Sequence, residues 1–111
     1  AGGVAKSVSA DLDDLPAFTE ALQQELSEGG PLHIAVHNTG GPAGGPLLKA
    51  EPQALLASFS RHVLTAQRMA QVLVPGMKEA GYGRILCVLS TSVREPIEGL
   101  GVSNLTRAAM A

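Results

Sequence analysis

The chain has 111 residues, room for one domain and one core, and 45% of them are hydrophobic, enough to pack an interior rather than stay disordered. A net charge of −2 with only 3% aromatic residues excludes the basic, stacking surface that nucleic acid requires. No apolar run approaches the ~20 residues of a membrane-spanning helix, and the single Cys87 excludes an internal disulfide, which fits a reducing, cytoplasmic setting.

Val4 to Ala10 alternates roughly between apolar and polar residues and predicts a short first strand ending at Asp11. Asp13 or Asp14 then caps a helix, with Pro16 in its first turn. Leu15, Phe18, Leu22 and Leu26 recur at three- and four-residue intervals, the pattern of one buried helix face, and Gly29-Gly30-Pro31 stops it. Leu32 to His37 predicts a second strand. It runs into a loop, Gly40 to Pro46, with four glycines and two prolines in seven residues. Proline lacks the N–H that a phosphate cradle donates, so this reads as a plain loop. His33 and His37 share a strand face but stand ~13 Å apart along it, too far to share a metal, so no metal site is expected.

Pro52 to Ala80 is the longest periodic segment. Leu55, Leu56, Phe59, Val63, Leu64, Ala66, Met69, Leu73, Val74 and Met77 give an apolar face wider than one sheet needs, and Pro75 is expected to kink the helix. Arg84 to Leu89 is apolar after its first residue, as in a strand hidden on both faces of a parallel sheet. Cys87, mid-strand, reads as a buried small hydrophobe. Ser90, Thr91 and Ser92 come next at the carboxyl end, where open parallel sheets place their ligands. Arg94, Glu95 and Glu98 read as a solvated loop. Gly99 to Asn104 misses the dinucleotide fingerprint by its third glycine. Leu100 to Ala111 predicts a last helix, with Ser103 or Asn104 near its cap and nothing to close its far end. Strand and helix alternate throughout, so the fold class is α/β with right-handed parallel crossovers and no domain split in 1–111.

Gly83-Arg84-Ile85 followed by Ser90, together with Asn38-Thr39-Gly40 after the preceding strand, resembles the short-chain dehydrogenase/reductase family, in the manner of its oxoacyl-thioester reductases. The resemblance implies a three-layer Rossmann-like parallel sheet flanked by helices. It implies NADP or NAD as cofactor, and a small carbonyl or alcohol as substrate. Asn38, Thr39 and Gly40 would lie along the nicotinamide cofactor, and Asp11 would bond its adenine, although alone Asp11 reads as the acid leading a helix. The family's catalytic serine falls on Ser90. Its tyrosine, thirteen positions later, and its lysine, four beyond that, fall on Ser103 and Arg107. Its fourth catalytic residue, an asparagine whose backbone carbonyl holds a water, falls on His62; alone, that histidine reads as a surface or core-edge residue.

Two of these are departures with chemical weight. A serine hydroxyl is a far weaker acid than a phenol held beside a cation, and it is shorter. Arg107 keeps a positive charge able to bond ribose hydroxyls, but not as a compact ammonium. The family's glycine-rich turn and first two strands do not occur in this sequence, so residues 1–111 are expected to form a single partial Rossmann-like domain, strands three, four and five of the order 3-2-1-4-5-6. The expected function is a divergent NAD(P)-dependent oxidoreductase of weak or no activity. The alternative is a non-catalytic binding or oligomerisation module. In either case the helices 52–80 and 100–111 are expected to form a homo-oligomer interface.

Overall fold

The computed structural model describes residues 2–111. Helix α1 spans Leu15–Gly29. Asp14 is its cap: the carboxylate accepts the Ala17 N–H at 3.0 Å, and Pro16 sits in the first turn, where its missing N–H breaks no helical bond. Gly30 ends it at φ 80°, a conformation that glycine adopts at little cost.

The strand expected over Val4 to Ala10 does not form. Those residues are exposed and take no ladder partner among the described residues. An extended segment becomes a strand only when a neighbour satisfies its N–H and C=O groups, and in the expected sheet order that neighbour is strand two. Lys6 instead pins this segment to α1, its ammonium 2.7 Å from both Glu25 and Glu28.

Two strands do form, β1 over Ile34–His37 and β2 over Arg84–Cys87. They pair in parallel, Ile34 opposite Arg84 and His37 opposite Cys87. These are neighbours four and five of the expected order. A long helical rod crosses between them: α2 (Pro52–Phe59), a widened π turn (Ser60–Leu64) and α3 (Thr65–Glu79). Pro75 does not end α3. The departure from α geometry falls earlier, in the π turn. A short 3-10 turn, Thr91–Val93, leads from β2 toward α4 (Gly101–Ala108).

The apolar core lies where α1 and α3 meet one face of the β ribbon. Met69, Leu73 and Met77 are buried there against Phe18, Leu22, Leu26, Ala35 and Ile85. The other face is open: Ile34, Val36 and Leu86 are 58%, 60% and 51% exposed. The sequence pattern predicts a strand hidden on both faces; half of that holds. Right-handed crossovers that keep stepping the same way across a sheet leave their helices on one side of it. Cys87 is likewise exposed rather than buried, because it ends the open strand.

The head of α4 is tied to the glycine-rich loop. Gly45 bridges Leu100, accepting the Gly101 N–H at 3.0 Å. A Cβ on Gly101 would stand 2.7 Å from Leu47 Cα, so only glycine permits this approach. Leu100, not Ser103 or Asn104, is the cap; Asn104 instead clasps Ile97, donating to its carbonyl at 2.8 Å. A tight turn closes the helix, Met110 N–H to Arg107 carbonyl at 3.1 Å, where the sequence suggested no closure.

Candidate active site

The carboxyl ends of β1 and β2 carry a buried polar seam. His37, the last residue of β1, lies over Thr65 of α3, Nε2 to Oγ1 at 2.8 Å. The Thr65 hydroxyl spends its proton on the Arg61 carbonyl, so His37 Nε2 must be the donor. One turn earlier on the rod, His62 is 1% exposed, which overturns its reading as a surface or core-edge residue. Its Nε2 stands 3.2 Å from the Gly40 carbonyl and must donate, because a carbonyl can only accept. Its Nδ1 lies 3.1 Å from the Thr106 hydroxyl, which donates to the Val102 carbonyl at 3.0 Å, and 3.3 Å from the Ser58 hydroxyl, the one left with a proton for it; the two hydroxyls are 2.9 Å apart.

The surroundings disfavour the charged form of both imidazoles, His37 and His62. Burial pushes the pKa of each below the usual histidine value, and the nearby Arg107 charge adds to the effect. No group of three or more His, Cys, Asp or Glu side chains is placed to hold a metal among the described residues.

Arg107 closes the seam from α4. Its Nη1 donates to the Val88 carbonyl at 2.9 Å, just past β2, and its Nη2 to the Thr39 carbonyl at 3.0 Å, just past β1. Its Nε has no partner, and the buried Thr39 and Ser92 hydroxyls have none either.

Ser90 leads the 3-10 turn after β2. Its Oγ accepts the Ser92 N–H at 3.1 Å, which leaves its own proton free for an external acceptor. Asn38 and Gly40 are exposed on the turn after β1, and open space lies above Gly40 and Gly41, where a side chain would point. Ser103 is half-buried on α4 and makes no hydrogen bond to Ser90. Asp11 stands apart. Its carboxylate accepts the Asp13 N–H at 2.9 Å in the turn that leads into α1.

The fold thus gathers Asn38, Thr39, Gly40, His62, Ser90 and Arg107 around two strand ends. Sequence reasoning missed Ser58, Thr65 and Thr106. A signal was there: Ser58, His62 and Thr65, at spacings of four and three, extend the stripe of Met69, Leu73 and Met77 along the rod.

The family model described as short chain dehydrogenase matches residues 1–110. An uncharacterised oxidoreductase of Mycobacterium tuberculosis is 31% identical over 112 aligned positions, spanning all of this chain and 43% of its own length. Among solved structures, the L-sorbose reductase of Gluconobacter frateurii, complexed with NADPH and L-sorbose, superposes with a TM-score of 0.86 at 27% identity over 93% of this chain and 39% of its own. A 3-oxoacyl (acyl-carrier-protein) reductase of Agrobacterium tumefaciens with NADP bound gives a TM-score of 0.89 at 23% identity, over 98% of this chain and 42% of its own. The chain spans about two fifths of the length of the curated relatives it matches. Their common architecture is the three-layer Rossmann-like fold, of which residues 2–111 supply a two-strand ribbon and the helical layer on one of its faces.

Proposed function

The chain belongs to the short-chain dehydrogenase family, and from that premise we propose that the full-length protein is an NAD(P)-dependent oxidoreductase of small carbonyl or alcohol substrates with a weakened proton-transfer step. What supports this most is the convergence at one rim of the Asn38–Gly40 turn, the Ser90 hydroxyl and α4, joined by Arg107. The sorbose reductase with NADPH and the oxoacyl reductase with NADP carry the same fold over almost all of this chain, which supports a nicotinamide dinucleotide, NADP or NAD, as the cofactor.

The residues fit the nicotinamide end of such a cofactor in part. The turn at Gly40 and Gly41 is open to a close approach, and the Thr39 hydroxyl is buried without a partner. Each terminal nitrogen of Arg107 already gives one N–H to a backbone carbonyl, which leaves one N–H on each for a further acceptor. The cofactor would supply the hydride. Ser90 would donate its free hydroxyl proton in a hydrogen bond to the substrate oxygen, holding the carbonyl without acting as a nucleophile. Ser103 would stand where the proton must be delivered, and its hydroxyl is too weak an acid to deliver it near neutrality.

The test is NADPH oxidation by the full-length protein with a 3-oxoacyl thioester. Wild type should turn over far below the ~10 s⁻¹ typical of enzymes, and Ser103→Tyr should raise kcat roughly a hundredfold, the lower end of general-acid contributions. Ordinary wild-type turnover would contradict the assignment of Ser103 as the weak link.

We also propose self-association, on one specific observation. Leu55, Leu56, Phe59, Leu105 and Ala109 line an apolar depression of about 350 Å³ between α2 and α4, and Leu56, Phe59 and Leu105 are exposed around it. In sedimentation the full-length protein should run as an oligomer, and Leu56→Glu should shift it toward monomer. A strict monomer at high concentration would end this reading, and with it the oligomerisation alternative. An exposed, unpaired Cys87 suits a reducing cytoplasm.

A further inference from the structure

Arg107 is 8% exposed, and no carboxylate pairs with it among the described residues. A buried cation without a counter-charge depends on its donors finding acceptors, and here backbone oxygens hold both terminal nitrogens while Nε stays without a partner. The two carbonyls it holds, Thr39 and Val88, each belong to the first or second residue beyond a strand. They are the points from which the two halves of the site depart, the Asn38–Gly41 turn on one side and Ser90 on the other. The adjacent carbonyl of the same turn, Gly40, is held by His62 from the rod. Two consecutive carbonyls are thus fixed by side chains from two different helices. A guanidinium is a rigid planar fork that spans two acceptors; an ammonium is a point donor on a rotating stem.

We propose that Arg107 is a positioning residue rather than a cofactor ligand. It clamps the carboxyl ends of β1 and β2 and so sets the separation between the Asn38–Gly41 turn and Ser90. The inference deepens the oxidoreductase reading and rests on it for its affinity readout. One consequence is that lysine at 107 would not repair the site, although it restores the residue type expected at that spacing. It would hold one carbonyl and release the other.

The experiment compares the full-length wild type with Arg107→Lys, well below either unfolding temperature, by amide hydrogen exchange and by calorimetric titration with NADP. The clamp requires the Val88 N–H, bonded to the His37 carbonyl at 2.9 Å, to exchange roughly tenfold faster in the lysine variant as the strand ends open locally. Positioning requires NADP to bind about fivefold more weakly to that folded variant, since misplaced groups lose pre-organised contacts. Unchanged exchange with equal or tighter NADP binding would overturn the proposal and return Arg107 to the ribose. Faster exchange with unchanged affinity would also overturn it, leaving a brace that positions nothing. Should the lysine variant fail to fold, the guanidinium proton resonances of wild-type Arg107 decide: a clamp leaves them slowly exchanging and unmoved by NADP, whereas a ribose ligand shifts them. A wild type that binds no NADP would sink the coenzyme reading, and the clamp would then stand or fall on the exchange rates.

Discussion

The two halves of the rod between Pro52 and Glu79 bury opposite chemistry against the same ribbon. The half beyond Thr65 presents Met69, Leu73 and Met77 to α1 and to the underside of β1 and β2. The other half presents Ser58, His62 and Thr65 to Gly40, Thr106 and His37. An apolar contact is non-directional, and its worth depends on area and volume. A polar seam depends on each donor meeting its acceptor, and a half-satisfied one costs more than an oily one. The half nearest the strand ends is therefore the one whose geometry is specified, and it is the half that holds the turn beside the candidate site.

Paired substitutions sharpen this contrast. Leu73→Ala should cost about 3 kcal/mol in denaturant unfolding, within the range for a leucine truncated in a packed core, whereas Leu73→Met should cost less than about 1.5 kcal/mol because volume is kept. Thr106→Val keeps volume equally well, yet should cost about 1–2 kcal/mol, because Ser58 and His62 lose the hydroxyl they share. If Thr106→Val proved as mild as Leu73→Met, the seam would be no more demanding than the core.

A smaller effect separates the halves by pH. His37 and His62 have pKa values lowered in the folded state, so below the ordinary histidine range the unfolded chain binds more protons. Stability should be complete above about pH 6.5 and fall as the pH drops from there through the folded-state values, with a slope of at most about 1.4 kcal/mol per pH unit per histidine. Hydrogen exchange should show the strand ends loosening first, while amides around Leu73 keep their protection. A pH-independent seam would mean that these imidazoles are not held neutral.

Much of this was legible in the sequence, for reasons that differ along the chain. Asp14, Pro16 and Gly30 act locally, so α1 could be bounded from its own residues. The spacing of Leu73 and Met77 marked the rod, and the run after Arg84 marked β2. The openness of β2 was not legible, because an apolar run reports what a strand needs to cover it and not whether the cover is present. Nor was the failure of Val4–Ala10 to form a strand, since a strand depends on its partner. His62 was matched by counting to the right position, but its burial depends on Thr106 and Gly40, distant in sequence and near only in the fold. Arg107 was read as a charge aimed at a ligand; that both its terminal nitrogens face backbone is set only by how α4 lies across the two strand ends.

The widened turn at Ser60–Leu64 has a consequence of its own. A π turn is what remains when one extra residue is accommodated in a helix without rewinding the turns beyond it. On either side of it, the rod runs in two phases offset by about 100°, the angular step of one residue. Excising a single residue there would let the turn close to ordinary α geometry, with Ser58 still beside Thr106 and Leu73 still in place. The head of the rod thus keeps its neighbour through the loss of one codon at this turn, whereas the same loss within an ordinary α turn would rotate that head away.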